Sequence, residues 1–448
     1  ASPLEVTGGP EPAVVPTIEL AVPPGLGETP PAAPATLVTG AAAASASAPA
    51  SRSTGPGVGP AAGTTAPPPA SPGGPPAVPG PSPPALVPVD ASGFGLADGG
   101  TFARLAPWVA GLGTRLPGVT VSRLLQGADR SAQPLCQATS VPTVGFCWDG
   151  EDQASTRWSP VGISGSADAW ASGTEQGHRA LVVAWSDRSG GAGLRVSFVR
   201  QDDGAPVRYV HVVLVEPTGP SNFRAVTADA GGVVWFENTL YVTDPVSGLR
   251  VFDLRRLWEV SGADPATVGL GADGRYHAAG HRYVVPQVGA YGPGRPGACA
   301  AAPPSPADPP SPADPLCLSF AGLDRTTTPA SLLAGERLAT AAGARLARWA
   351  LAGDRLQTGP DGTVPATGAW VTAHPGLTGV VAYRGNFVTG ASAGAEGRLW
   401  LEHPGLDSTS VVFPSGARGL TLVPAAGQLW TVTEAPRRRV VLAVPVAL

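Results

Sequence analysis

Three stretches of the sequence repeat one pattern of short apolar runs separated by turns. In residues 232–254 the runs GVVWF and TLYV flank a Glu-Asn pair, and GLRVFDL follows after a loop. The same order recurs in residues 379–401 and 419–444. Apolar runs this short, bounded by Gly, Pro, Asp and Ser, are typical of β-strands. The repeat of strand, turn, strand, loop and strand therefore predicts an all-β chain.

One sheet of this kind cannot cover both of its own faces, so several must pack around a common axis. Residues 140–448 have room for five or six units of this size. We therefore expect a β-propeller of five or six blades, with a two-sheet sandwich as the alternative. Apolar residues spaced by three and four predict one helix, over residues 102–112, before the strands begin.

The first 90 residues have a different composition. They contain 23 of the 52 prolines, no Phe, Trp or Tyr, and one arginine against five acids. Without aromatic side chains such a segment buries too little apolar area to offset the cost of ordering its backbone. We expect an extended Pro/Ala/Gly-rich segment over residues 1–90 and the propeller over residues 91–448. A disordered linker and an O-glycosylated spacer are the alternatives for the tail.

One part of this tail has strand character. Residues 14–22 partly alternate apolar and polar side chains. A lone strand must pair with an existing sheet edge, either in its own domain or in a neighbouring molecule. The predicted assembly residues are Val14, Val15, Ile18, Leu20 and Val22.

The four cysteines predict two disulfides. Of the three possible pairings, the local one joins Cys136 to Cys147 and Cys299 to Cys317. The second bridge closes a Pro-rich insertion, residues 299–317, and restricts the unfolded chain by about 3 kcal/mol in the entropic model. No pair has the CxxC spacing of a zinc site, so no metal is expected there.

Charge and composition limit the compartment and the partners. A net charge of −4 and a pI near 5.9 argue against nucleic-acid binding. No apolar stretch is long enough to span a membrane. The start Ala-Ser-Pro without Met suggests cleavage of a signal peptide, and the cysteines suit an oxidising compartment. We expect a secreted protein, and arginine without lysine suggests a high-GC bacterium.

Some aromatic and polar residues are candidates for ligand binding. Trp148, Trp158 and Trp170 lie near turns and are candidates for an exposed platform, whereas Trp235, Trp400 and Trp430 lie inside the repeated strands. His277 and His281 have the i,i+4 spacing of metal ligands, but Gly280 between them argues for a turn. The acidic residues 149–152 and 202–203 could bind Ca²⁺, although neither has the spacing of a calcium loop. We expect no other cofactor.

The segments 238–254, 276–288 and 323–349 carry a resemblance. They resemble a family of uncharacterised secreted proteins of actinobacteria with propeller-like repeats, over residues 140–448. The resemblance implies export and a β-rich fold, and it implies no activity or catalytic residue.

These observations favour a secreted structural or adhesive scaffold that self-assembles into a polymer or filament through its N-terminal segment, rather than an enzyme. The alternative is a cell-envelope propeller that binds or cleaves glycans, with cell-wall glycan as the partner. The excess of Trp and the acidic loops motivate that alternative.

Overall fold

The computed structural model describes residues 18–19, 85–139, 141, 143–189, 193–294, 314–338, 342–393 and 396–447. Its N-terminal part contains short elements: β1 (Ile18–Glu19), β2 (Leu86–Val89), β3 (Leu96–Ala97), α1 (Thr101–Gly113), α2 (Val121–Gln126), β4 (Arg130–Ser131), β5 (Gln133–Pro134), β6 (Val144–Cys147) and α3 (Gly150–Ala154). Helix α1 confirms the predicted helix, and its buried residues Leu105, Val109 and Leu112 recur at the spacing that places them on one side.

The first blade follows α3 directly. It consists of β7 (Trp158–Gly165), β8 (Ala180–Asp187), β9 (Leu194–Arg200) and β10 (Arg208–Gly219), with α4 (Ser166–Ala169) after β7 and β11 (Asn222–Ala225) paired with β10. Every residue of β7 and β8 is buried. This burial on both faces explains why the sequence is continuously apolar here instead of alternating.

The second blade is built from β12 (Val233–Phe236), β13 (Thr239–Asp244), β14 (Gly248–Asp253) and the outer strand β18 (Tyr283–Pro293). Between β14 and β18 lie three short strands: β15 (Trp258–Glu259), β16 (Val268–Leu270) and β17 (Tyr276–Ala278). Strand β18 is antiparallel to β14 and also pairs in parallel with β10, where Val212 lies opposite Tyr283. The outer edges of the first two blades are therefore joined.

The third and fourth blades complete most of the ring. The third contains β19 (Phe320–Asp324), β20 (Ser331–Gly335), β21 (Ala344–Ala352) and β24 (Gly368–Thr372), with β22 (Arg355–Leu356) and β23 (Thr363–Val364) in between. Strand β2 adds to the edge of this blade by pairing with β24. The fourth contains β25 (Leu377–Tyr383), β26 (Asn386–Ala393), β27 (Glu396–Glu402) and β28 (Thr409–Phe413).

The fifth blade brings the two ends of the described chain together. Its strands β29 (Ala417–Val423), β30 (Gln428–Thr433) and β31 (Val441–Ala447) come from the C-terminal end. The next strand is β6, antiparallel to β31 with Phe146 opposite Val441, and β5 follows it. Strand β1 pairs in parallel with the end of β31, where Ile18 lies opposite Val446. This blade is thus assembled from parts of the chain that are distant in sequence.

A ring of close backbone contacts around the axis joins the five innermost strands. A Cβ on Gly322 would lie 1.7 Å from the carbonyl oxygen of Val380, and one on Gly379 would lie 2.8 Å from the carbonyl carbon of Gly419. At each step around the ring, including the step from β29 back to β7, a Cβ on a glycine of one inner strand would clash with the backbone of the next. The glycines concerned are Gly162, Gly232, Gly322, Gly379 and Gly419. Only glycine permits this approach.

These five antiparallel sheets around one axis form a β-propeller, as the repeat predicted, with five blades among the described residues. Each of the three sequence repeats corresponds to the first three strands of a blade: the second, fourth and fifth. No helix in the described ranges is long and apolar enough to cross a membrane.

Candidate functional site

A cluster of buried charged side chains lies between the first and fifth blades. Helix α3 begins after Asp149, whose side chain accepts a hydrogen bond from the backbone N–H of Asp152. This cap fixes the short helix between β6 of the fifth blade and β7 of the first. It directs the Asp152 carboxylate into the space between them, where only 2% of the residue is exposed.

We call the group around this carboxylate the seam cluster: Asp152, Arg195, Ser197, Tyr209 and His211. Oδ1 of Asp152 accepts from Nη2 of Arg195 at 2.5 Å, and Oδ2 accepts from the Tyr209 hydroxyl at 2.6 Å and from Nε2 of His211 at 2.9 Å. Strands β9 and β10 place Ser197 directly opposite His211. Both strands therefore point polar side chains into an otherwise apolar interface.

The charges of the seam cluster favour an ionised Asp152 and a neutral His211. Burial alone would raise the pKa of Asp152, but the hydrogen bond from His211 and the charge of Arg195 hold it well below its usual range. Burial and the charge of Arg195 lower the pKa of His211 to about 4. Neutral His211 donates from Nε2 and accepts at Nδ1 from the Ser197 hydroxyl, 2.9 Å away.

The order Ser197, His211, Asp152 places a hydroxyl, an imidazole and a carboxylate in one hydrogen-bonded chain, as in hydrolases. Yet Ser197 is 0% exposed and its oxygen also accepts from Nε1 of Trp185 at 2.8 Å. A nucleophile must reach its substrate, and this hydroxyl is enclosed on every side by protein. The arrangement is suited to holding the two blades together rather than to acyl transfer.

Two further basic side chains tie the seam cluster to its surroundings. Arg439, from the fifth blade, donates to the carbonyl oxygens of Asp152 and Trp158, both at 2.6 Å. Arg130 from β4 contacts the carboxylates of Asp149 and Asp152 at 2.7 and 3.2 Å. The acidic stretch 149–152, a candidate for Ca²⁺, is thus occupied by arginine. In the ranges described, no three His, Cys, Asp or Glu side chains form a group that could hold a metal ion.

Two other carboxyl groups are buried with fewer partners. Asp168 in α4 accepts from the hydroxyls of Ser164 and Thr421, both at 2.7 Å, and burial raises its pKa to about 6. Burial likewise raises the pKa of Glu402 in β27 to about 7. One Glu402 oxygen accepts from the Thr389 hydroxyl, while the other is buried without a partner among the described residues.

An open pocket of about 260 Å³ lies between the first and fifth blades, on the face where first strands connect to second strands. Its polar lining combines acids, amides and a guanidinium: Arg179, Gln201, Asp202, Asp203 and Gln428. Trp430 and Val423 form an apolar part of the pocket wall. Arg179 is paired with Asp203, and Oδ2 of Asp202 lies 2.9 Å from Nδ1 of His178 and 2.8 Å from Nε of Arg200. Apolar surface beside paired polar groups suits a small, polyhydroxylated ligand.

The tryptophans expected at the surface lie mostly inside. Trp148 is 0% exposed and packs its ring against Trp185 and Tyr209, with centroids 4.7 and 4.9 Å apart. Trp158 is buried beneath the guanidinium of Arg195, 4.3 Å from its ring centroid. These two rings offer no exposed platform because the closing blades cover them. Trp170 is half-buried and donates to Glu175 at 2.6 Å, and its role in ligand binding stays a prediction.

The two histidines at i,i+4 spacing do not meet on a common ligand. His277, in β17, contacts Asp273 through Nε2 at 3.0 Å and accepts from the backbone of Asp264 through Nδ1 at 3.1 Å. After the turn at Gly280, His281 faces the seam cluster, where Nη1 of Arg195 lies 3.5 Å from its Nε2. Both imidazoles stabilise turns and packing at these positions.

The first predicted disulfide is confirmed: Cys136 and Cys147 are bonded, with Cα atoms 5.9 Å apart. Cys317 is also disulfide-bonded. Its expected partner Cys299 and most of the Pro-rich insertion lie outside the described residues. Of the predicted assembly residues, Ile18 falls in β1, and Val14, Val15, Leu20 and Val22 lie outside the described residues.

Most residues of the seam cluster and of the pocket were not predicted from the sequence. The available signal was polar residues at inward positions of apolar strands: Arg195 and Ser197 in LRVSFVR, and His211 in YVHVVLV. Buried positions of this kind are costly unless paired, so they point to a network. Arg195 and His211 share the partner Asp152, which lies more than forty residues upstream, and no local pattern links it to them.

The fold defines the protein as a β-propeller, with five blades among the described residues. Several solved structures are similar to the chain at low identity. They include the PQQ-bound aldose sugar dehydrogenase of Streptomyces coelicolor, at 15% identity over 71% of this chain and 98% of that chain, with a TM-score of 0.31. The hydrazine synthase of Kuenenia stuttgartiensis has 12% identity over 66% and 90%, with a TM-score of 0.28. The Dos1 propeller has 9% identity over 62% and 68%, with a TM-score of 0.24.

No family model matches the chain, and no curated protein matches it. At this level of identity no residue role or activity is transferred from the similar structures. The assignment as a propeller rests on the sheets and on the closed ring of inner strands.

Proposed function

We propose that this protein is an extracellular scaffold that self-associates by donating its N-terminal strand to the fifth blade of another copy. The observation that carries the proposal is the parallel pairing of Ile18 and Glu19 with Val446 and Ala447. A strand from outside the blade repeats thus pairs, within one chain, with the C-terminal end of β31, beyond the residues of β31 that pair with β6. The same pairing made with a second copy would be strand donation.

The connection between β1 and the propeller favours exchange between copies. Residues 20–85 join β1 to β2, so the donor strand is attached through a long, proline-rich segment. A longer connecting segment lowers the effective concentration of the strand at its own blade, so the identical strand of a second copy can compete for the same pairing at high protein concentration. Each copy carries both the donor strand β1 and the acceptor strand β31, at different places on the chain. One copy can therefore bind a second copy and be bound by a third, so that the assembly lengthens.

The interior of the propeller supports a structural role. The seam cluster uses its hydrogen-bonding groups internally, and Ser197 is enclosed. The Cys136–Cys147 disulfide supports an oxidising compartment outside the cytosol. Secretion by an actinobacterium is part of the same proposal, and it agrees with a composition in which arginine is present and lysine is absent.

Light scattering over a concentration series tests this function. We expect the full chain to form species larger than 44.8 kDa as concentration rises, and a chain lacking residues 1–82 to stay monomeric. Ile18→Pro removes the backbone donor of the paired residue and should also give monomers. Ala33→Pro, in the same segment but outside β1, is the matched control and should associate like the parent chain. Monomers of the full chain at all concentrations would refute self-association.

A second candidate function is glycan binding in the pocket between the first and fifth blades. The supporting observation is the joint presence of Trp430, two carboxylates, two amides and Arg179 around about 260 Å³. Binding to an array of bacterial wall glycans tests it. Asp203→Asn should weaken any binding found, whereas Asp273→Asn, at an exposed turn of the second blade, should leave it unchanged. Absence of binding by the parent chain would remove this candidate.

A further inference from the structure

Four blades send charged side chains to the face of the propeller opposite the pocket. This face, here called the entry face, carries the connections between blades and those between second and third strands. Arg188 follows β8, Arg337 follows β20, Glu434 follows β30, and Arg418 lies near the start of the inner strand β29. Asp229, just before β12, is an exposed acid on the same face.

A chain of hydrogen bonds holds the third, fourth and fifth blades together at this face. The backbone N–H of Gly376 donates to the carbonyl of Leu338 at 2.6 Å, and that of Ser392 donates to the carbonyl of Gly376 at 2.9 Å. The Ser392 hydroxyl accepts from Gly416 at 3.0 Å, and the carbonyl of Gly416 accepts from Glu434 at 3.1 Å. Hydrogen bonds therefore link the backbone segments that carry the side chains of the entry face.

Acidic partners on the entry face are already used by other arginines. Glu434 accepts from Nη2 of Arg418 at 2.7 Å, and its second oxygen lies 3.8 Å from Nη2 of Arg188. Glu336, the neighbour of Arg337 in sequence, is bound by Arg345 through both oxygens, at 2.5 and 2.8 Å. Neither carboxylate is left for Arg337.

Arg337 itself forms no ion pair or hydrogen bond with any residue in the described ranges, although it is half-buried. Its Nε is buried without a partner, and so is Nε of Arg418. Burial lowers the pKa of Arg337, and the nearby Arg418 lowers it further, while Glu434 and Asp229 oppose this. The entry face thus carries the guanidiniums of Arg188, Arg337 and Arg418. Two carboxylates, those of Glu434 and Asp229, oppose them, and Arg337 pairs with neither.

We propose that Arg337 and Arg418 form a binding site on the entry face for an oxyanion, a phosphate or carboxylate group carried by a small ligand. A guanidinium is planar and presents paired N–H donors that match both groups. An anion at this place would supply the acceptor that Arg337 lacks and would offset the repulsion between the two cations.

Isothermal titration with inorganic phosphate and, separately, with D-glucuronate tests the site on the full chain at constant ionic strength. We expect saturable binding of at least one of them, and a loss of affinity of about tenfold or more in Arg337→Gln, the scale of a charged hydrogen bond. Tighter binding of phosphate would assign a phosphoryl ligand, and tighter binding of glucuronate a carboxylate.

Arg275→Gln is the matched control, because Arg275 is exposed on the second blade, away from the entry face. It should bind like the parent chain. Thermal unfolding of each variant shows whether Arg337→Gln still folds, and bound anion should raise the midpoint of the parent but not of that variant. No binding of either probe, or equal binding by parent and Arg337→Gln, would overturn the proposal.

Discussion

Nε2 of His211 lies 2.9 Å from Oδ2 of Asp152, and both side chains are buried between the first and fifth blades. Asp152 belongs to the helix that links β6 to β7, so it lies where the chain passes from the last blade of the ring to the first. The seam cluster therefore lies at the point where the ring closes, and there it joins residues that are distant in sequence.

Removing the charge of Asp152 should destabilise the protein strongly. Asp152→Asn leaves Arg195 buried without its carboxylate, and breaking one member of a buried pair costs about 3–5 kcal/mol. Denaturant unfolding measures the change. The control is Glu151→Gln, whose side chain is 82% exposed and whose bond to Arg130 contributes at most about 1 kcal/mol. Equal losses in the two variants would show that the seam cluster does not hold the ring closed.

The ring of glycines should not tolerate a side chain. Gly322→Ala places a methyl group 1.7 Å from the carbonyl oxygen of Val380, so two inner strands must move apart. We expect a loss of about 1–3 kcal/mol, or more if the ring opens. Gly150→Ala, with no atom within 4 Å of the new Cβ, is the control. Thermal unfolding compares them, and a Gly322→Ala variant as stable as the parent would contradict close contact at the axis.

The buried carboxyl of Glu402 should make stability fall as pH rises. Its pKa is about 7 in the folded protein against 4.5 for the free group, so its contribution is fully present below pH 4.5 and is lost as pH rises through 7. The difference amounts to about 3 kcal/mol. Glu402→Gln should remove this slope between pH 4.5 and 7, whereas Glu396→Gln, exposed on the same strand, should retain it. If the parent chain and Glu402→Gln gave identical unfolding curves across this range, protonation of Glu402 would not be linked to folding.

The Cys136–Cys147 bridge should contribute to stability without specifying the fold. It closes a loop with a sequence separation of 11, for which the entropic model gives about 3 kcal/mol. The double variant Cys136→Ser/Cys147→Ser should unfold at lower denaturant, with an unchanged far-UV spectrum when folded. Unchanged stability of that variant would mean that the loop is equally restricted without the bridge.

The blade pattern could be predicted from the sequence because it is local. Strands such as β13 and β14 bury nearly every residue, and a buried strand reads as a continuous apolar run between turns. The outer strand of a blade is less regular. Strand β18 follows β14 after three short strands, and β6 joins β31 from the other end of the chain. No local pattern contains either pairing, so the number of blades stayed between five and six.

The expectations for single side chains were less accurate for a related reason. Trp148 and Trp158 follow or precede turns, which suggested exposure, but both lie at the seam, where the last blade covers them. His277 and His281 are close in sequence, yet they face different partners because the chain turns at Gly280. Burial is decided by contacts between blades, and these contacts join residues that the sequence keeps far apart.

Chemical crosslinking tests most directly the central claim that residues of β1 pair with the last blade of another copy. A chain with Ile18→Cys and Val446→Cys, mixed in tagged and untagged forms, is treated with a short bismaleimide and separated under reducing conditions. The control pairs Ile18→Cys with Val246→Cys, which is 77% exposed on the second blade. We predict crosslinked species that contain both forms with the first pair and not with the control. Crosslinks confined to single chains would contradict the account.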